Sequence, residues 1–121
     1  MATPTHIAQF EQIFGAAGIG VLDSIKDLSP RLVDHVYSYI AGDLYQDETL
    51  DFRTRELCVI ATLAAQGGLN EQVKVHVETA LRGGVTRQEV VASIEAVGAY
   101  AGVPKALNAM FAAAEVFERL A

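Results

Sequence analysis

The sequence predicts an all-α fold, a single domain of about six helices, and three observations support this prediction. Nineteen of the 121 residues are Ala, the strongest helix former. Apolar residues recur at the 3.6-residue period of a helix rather than by strict alternation. Glycines, prolines and capping residues divide the chain into segments of helical length. We therefore expect residues 1–121 to form one domain without a convincing strand.

The first two helices are predicted from apolar spacing and from their boundaries. Apolar residues at positions 7, 10, 13 and 14 share one helix face, so a helix is expected from Thr5 to about Phe14. Three glycines between positions 15 and 20 should end it, which makes residues 1–20 an N-terminal helical extension. The second helix should start at Ser29 and Pro30, as a cap followed by the first helical position, and close at Gly42.

The third helix is expected to be the centre of the core. Asp51 is a plausible cap, and the segment from Leu57 to Ala65 is apolar almost all round. A helix that is apolar on every side is normally buried on every side. Cys58 lies in this segment, so we expect it to be a buried and unreactive thiol.

The last three helices follow from caps, glycine stops and charge spacing. Asn70 should cap a helix that runs to Arg82, Thr86 opens the next one through a capping box, and Pro104 starts the last. Two salt bridges are expected within single helices, each between residues four positions apart. These pairs are Lys74 with Glu78 and Glu115 with Arg119. One side of the last helix is predicted to carry Leu107, Met110, Ala114 and Phe117.

Composition and charge exclude several classes of protein. A net charge of −6 makes nucleic acid an unfavourable partner, because a duplex binder presents a basic surface. No run of 18 apolar residues occurs and the N-terminus lacks the features of a signal peptide, so we expect a cytoplasmic protein with no membrane span. A single cysteine excludes a disulfide framework. The sequence has no closely spaced pair of histidines, so it gives no indication of a histidine-based metal site. With glycine included, the apolar content exceeds the roughly 45–50% of ordinary domains, which favours self-association.

Three residues stand out for chemistry, although each also has a structural explanation. His76 borders an apolar helix stripe, where a lone histidine is often a core residue with its hydrogen bonds satisfied. Glu56 is an acid in the first turns of its helix, where it favours the helix dipole. Asp43 follows Gly42 and is typical of a turn. These residues alone do not name a reaction.

The joint order of several short segments resembles the carboxymuconolactone decarboxylase family, which includes the alkyl hydroperoxidase D group. The resemblance covers about residues 20 to 120. It rests on positions 39–45 (YIAGDLY), 50–57 (LDFRTREL), His76 with Ala80, 84–86 (GVT), Glu89 and 100–104 (YAGVP). It implies an all-helical fold, assembly as a trimer or hexamer with pockets near subunit contacts, and chemistry that needs no cofactor.

Two departures from the family pattern bear on the activity that the resemblance implies. The hydroperoxidase branch has a CxxC pair, but Leu69 and Gln72 stand at those positions here, which disfavours a two-cysteine mechanism. The decarboxylase branch has a Gly-Glu-x-Trp turn, and the corresponding turn here contains Asp43 and Tyr45. The resemblance therefore indicates a decarboxylase-like member with its own substrate.

The resemblance leads to a hypothesis for each site residue. We expect His76 to deliver a proton, Glu56 to orient its imidazole, Arg55 to bind a substrate carboxylate, and Asp43 and Tyr45 to line the pocket. The expected ligand is a small acid or lactone. Two alternatives stay open: a redox protein that uses Cys58 between copies, and a non-catalytic ligand-binding or scaffold member of the family.

Overall fold

A computed structural model describes residues 2–121, and over this range the protein is built from helices alone, without a strand. This confirms the predicted all-α class and the six helices. A π-helical turn, Val36–Ala41, continues the second helix, and a short 3-10 turn follows at Leu44–Gln46. The helices are α1 Pro4–Asp23, α2 Pro30–His35, α3 Phe52–Gln66, α4 Asn70–Arg82, α5 Arg87–Tyr100 and α6 Val103–Arg119.

The chain forms two compact units, one up to Leu50 and the other from Asp51 to Ala121. The first contains α1, α2 and the π-helical turn, and the second contains α3 to α6. That the whole chain forms one domain stays a prediction. No helix among residues 2–121 combines the length and the apolar character needed to cross a membrane.

The first helix is longer than the glycines predicted. Gly15 adopts φ 75° and ψ −178°, which breaks the helical geometry, but the helix resumes and ends only at Asp23. Gly15 thus interrupts the helix directly after Phe14, as predicted, but the helical segment that follows it, with Gly18 and Gly20 inside, was not predicted. Phe10, Phe14 and Leu22 are its buried residues.

The second helix begins at Pro30 as predicted, but the hydroxyl of Ser29 makes no capping hydrogen bond. Its buried face consists of Val33, Tyr37 and Ala41, which are spaced by four residues. The wider π-helical turn is closed by the hydrogen bond from Gly42 N to Tyr37 O, of 3.0 Å. This turn was not predicted, because a π-helix has no distinctive residue pattern in this segment.

The core of the second unit lies among α3, α4, α5 and α6. Its largest fully buried apolar side chains are Ile60, Val73, Val77, Val90, Ile94 and Val116. Two predicted caps are confirmed: Asp51 accepts from Thr54 N at 2.8 Å, and Thr86 and Glu89 form the reciprocal capping box. Asn70 is the first residue of α4 rather than its cap, which is Leu69.

Burial around α3 differs from the prediction. Ile60 and Ala64 are buried, but Cys58 is exposed. We expected this helix to be buried on every side, and in the single chain this is wrong. The helices α4, α5 and α6 leave part of the α3 surface uncovered. Cys58 is thus an accessible thiol rather than a core residue.

The four charged residues that we predicted to pair within α4 and within α6 pair between these helices instead, and Lys74 also pairs with Glu71 inside α4. Lys74 Nζ lies 2.6 Å from Glu115 Oε2, and Arg119 Nη2 lies 3.3 Å from Glu78 Oε2. Both predicted pairs are therefore wrong in partner, although all four residues form ion pairs. Of the four residues predicted on one side of α6, Met110 and Phe117 pack against the core, while the buried residues are Ala109, Ala112, Ala113 and Val116.

Candidate functional site

The site is built around a carboxylate in the core of the second unit. Glu56 lies in the second turn of α3, which begins at Phe52 under the Asp51 cap, and its side chain is completely buried. Burying a charged group in an apolar core is costly unless a partner compensates. An acid at this position therefore needs a specific hydrogen-bonding or ionic partner.

His76 is such a partner. Its Nδ1 lies 3.0 Å from Glu56 Oε2, and α3 and α4 pack against each other to bring the two side chains together. The neighbouring α4 residues Val73 and Val77 are buried and fix this face of the helix toward the core. The sequence named both residues but could not predict their contact, because they are 20 positions apart on different helices.

The contact defines the chemistry available to the imidazole. An ionised carboxylate has no hydrogen to donate, so with Glu56 in that form the Nδ1–H of His76 is the donor of this hydrogen bond. The second ring nitrogen, Nε2, is not part of this contact. The side chain of His76 is 17% exposed, so the imidazole reaches the surface while the carboxylate behind it does not. A carboxylate that orients an imidazole is a recurrent arrangement for proton transfer.

Two arginines in α3, Arg53 and Arg55, have different surroundings, because residues two positions apart point to different sides of a helix. Arg53 is exposed and donates to Gly84 O at 3.0 Å and to the carboxylate of Glu89. Arg55 is buried, with 8% of its surface exposed, and directly precedes Glu56 in the chain. A guanidinium keeps its charge even when buried, so Arg55 places a fixed positive charge in this part of α3.

Asp43 and Tyr45 lie in the first unit. Asp43 is exposed and precedes the short 3-10 turn, and Tyr45 is half-buried. The ring of Tyr45 contacts that of Phe14 edge-on, with the centroids 5.7 Å apart. The structure thus brings Glu56 and His76 into contact, while the participation of Asp43 and Tyr45 in the same site stays a prediction.

A groove of about 540 Å³ runs between α3 and α5 and contains the exposed Cys58. Its floor consists mainly of small or apolar side chains, including Leu57, Ala61 and Ala92. Ser93 also lines it and donates its hydroxyl to Leu57 O at 3.0 Å. Sequence reasoning missed this groove because apolar periodicity does not show which apolar face a neighbouring helix leaves uncovered. Within residues 2–121, no group of three or more His, Cys, Asp or Glu residues is arranged to hold a metal ion.

Comparison with known proteins places these residues in a wider context. A model of the carboxymuconolactone decarboxylase family matches residues 30–115. The 4-carboxymuconolactone decarboxylase of Acinetobacter baylyi is 29% identical over 99 residues, which cover 82% of this chain and 73% of that protein. An uncharacterised 15.0 kDa protein of Paracoccus denitrificans is 28% identical over 95 residues, which cover 78% of this chain and 71% of that protein.

Proposed function

This chain belongs to the carboxymuconolactone decarboxylase family, and from that premise we propose that it is a cofactor-free carboxy-lyase acting on a small carboxylated lactone or a related acid. The observation that carries the proposal is the 3.0 Å contact between the buried Glu56 carboxylate and His76 Nδ1. The name of the Acinetobacter relative supports the same reaction class. We expect the protein to act in the cytoplasm.

The proposed reaction needs no cofactor because the substrate itself accepts the electron pair. The bond between the ring carbon and the carboxylate breaks, and CO₂ leaves. The electron pair moves into the conjugated lactone carbonyl as a dienolate. A proton must then be added to carbon, and the enolate oxygen must be stabilised until that happens.

The site residues fit these steps in distinct roles. His76 donates the proton from Nε2, and Glu56 holds the Nδ1–H and stabilises the imidazolium form before transfer. Arg55 is proposed to bind a substrate carboxylate through its planar guanidinium. Asp43 and Tyr45 are proposed to line the pocket and determine its shape, since the family turn has Glu and Trp at those positions.

The direct test is a decarboxylation assay with γ-carboxymuconolactone, following the lactone chromophore. We expect turnover by the wild type, and a loss of about 10²–10⁴-fold in His76→Gln, which is the range that positioned proton transfer contributes. An absence of turnover by the folded wild type would contradict this substrate. It would favour other small acids or a non-catalytic ligand-binding role.

The exposure of Cys58 favours one alternative function, a peroxide-reducing activity that uses this thiol between copies. The chain has no second cysteine to resolve an oxidised thiol, so the resolving thiol would have to come from another molecule. Peroxide consumption that disappears in Cys58→Ser, with lactone turnover absent from both proteins, would support this alternative. Lactone turnover that is unchanged in Cys58→Ser would exclude the thiol from the main reaction.

A further inference from the structure

A second cavity lies in the first unit, and none of its lining residues is assigned to the proposed reaction. Its volume is about 410 Å³, and it lies between α1 and α2. Ile7 from the first half of α1 and Ile19 from the second half both line it, on either side of the break at Gly15. Its volume falls within the range of about 300–1,000 Å³ that is common for small-molecule sites.

The cavity has one tyrosine in its lining. Tyr37 is only 6% exposed, and its ring packs edge-on against Phe10 with the centroids 5.1 Å apart. Its hydroxyl is not a sequestered, unsatisfied group, since within residues 2–121 that description fits Gln9 Oε1. The hydroxyl is therefore a polar group that a ligand in the cavity can reach.

Tyr37 is also the second residue of the π-helical turn, Val36–Ala41. Such turns are rare and occur often at functional sites. Burial, followed by the nearby Asp23 carboxylate, raises the pKa of the Tyr37 phenol above its usual value. The phenol is thus protonated at neutral pH, and its oxygen can both donate and accept a hydrogen bond.

Among residues 2–121, the charged residues that line the cavity have a negative balance. Asp23 and Lys26 pair with each other at 3.6 Å and largely neutralise one another. Asp34 also lines the cavity, and its carboxylate has no ionic partner within residues 2–121. An anion would be repelled by this carboxylate, whereas a cation would be attracted to it.

We propose that this cavity binds a small molecule that carries an apolar body and a protonated amine. The apolar body would contact Ile7, Ile19 and Val33, all of which line the cavity. The ammonium group would pair with Asp34 and donate a hydrogen bond to the Tyr37 hydroxyl. Much of the lining precedes residue 30, where the match to the family model begins, so the site is not part of the proposed lyase chemistry.

The first experiment compares three probes of similar size on the full-length protein by calorimetric titration. Phenethylamine carries the positive charge, phenethyl alcohol is neutral, and phenylacetate is negative. We expect phenethylamine to bind at least about tenfold more tightly than either of the others, as one charge-assisted hydrogen bond implies. Equal affinity for the amine and the acid, or no binding of the amine, would overturn the proposal.

The second experiment places the ligand with matched variants. Asp34→Asn and Tyr37→Phe preserve side-chain shape, and each should weaken phenethylamine binding by about tenfold. The control is Asp27→Asn, which removes the charge of an exposed residue that does not line the cavity. This variant should leave phenethylamine binding unchanged. Thermal unfolding verifies that each variant is folded. Unaltered affinity in both Asp34→Asn and Tyr37→Phe would refute the assignment, whatever the outcome of the lyase assay.

Discussion

The most informative single residue is Glu56, because a carboxylate with no exposed surface is unusual and needs a compensating partner. His76 supplies that partner, and the two side chains differ in their exposure to solvent. The carboxylate is sequestered from water, while the imidazole keeps a small exposed surface at which a proton can be exchanged. Sequence reasoning identified both residues but not their contact, which depends on how α3 packs against α4.

Glu56→Gln tests whether the negative charge matters beyond the shape of the side chain. The amide oxygen can still accept the hydrogen bond from His76 Nδ1, but it stabilises an imidazolium less well. We expect kcat to fall by about tenfold to a hundredfold, a part of what positioned proton transfer contributes. The same substitution at the exposed Glu95 is the control and should leave kcat unchanged. Full activity in Glu56→Gln would contradict the proposed role.

Asp51 gives a residue-scale prediction about pH. Hydrogen bonds from Thr54 to its carboxylate lower the pKa of Asp51 in the folded protein. A group with a lowered folded-state pKa stabilises the fold above its unfolded value, and this contribution is lost as the pH falls through the folded value. Asn caps helices about as well as Asp but does not titrate. The difference in urea midpoint between the wild type and Asp51→Asn should therefore be present at pH 7 and shrink below about pH 4. A pH-independent difference would argue against this cap.

At the scale of elements, helix positions followed from local sequence, whereas contacts between helices did not. The caps at Asp51 and Thr86 involve residues three positions apart, so the pattern alone predicted them. The ion pairs of α4 and α6 join residues 41 positions apart, and the prediction missed them because helix packing decides which charges meet. For the same reason, the exposure of Cys58 could not be predicted from an apolar run.

Two glycines in the first unit provide a matched pair of stability predictions. A Cβ at Gly42 would collide with the ring of His6 and lie 2.8 Å from Ser38 O, which is backbone within the π-helical turn. A Cβ at Gly20, inside α1, would meet nothing within 4 Å. We expect Gly42→Ala to lower the free energy of unfolding by about 1–3 kcal/mol, as overpacking does. Gly20→Ala should raise it by about 0.4–1 kcal/mol. Urea unfolding measures both, and equal effects would contradict the described packing.

At the scale of the whole molecule, the apolar residues that remain exposed bear on self-association. Val103, Leu107 and Phe111 are spaced by four residues along α6, and all three are more than half exposed. An apolar stripe of this kind is typical of a surface that another molecule covers. It accords with the trimer or hexamer that the family resemblance implies, and that assembly stays a proposal.

Light scattering coupled to size-exclusion chromatography tests this proposal directly. We expect the native mass to be three or six times that of the chain, and Phe111→Glu to shift it toward the monomer because a charge would be buried. Gln88→Glu adds the same charge at an exposed polar position of α5 and should leave the mass unchanged. A monomeric wild type would contradict the expectation, and an unaltered assembly in Phe111→Glu would exclude this stripe from the interface.

The measurement that most directly tests the central claim is a double-mutant cycle on Glu56 and His76. It compares kcat/KM for γ-carboxymuconolactone among the wild type, Glu56→Gln, His76→Gln and the protein with both changes. If the carboxylate acts only through the imidazole, the double variant should lose no more activity than His76→Gln alone, because residues that act as a unit are not additive. Losses that multiply independently, or a His76→Gln variant as active as the wild type, would contradict the proposed proton-transfer pair.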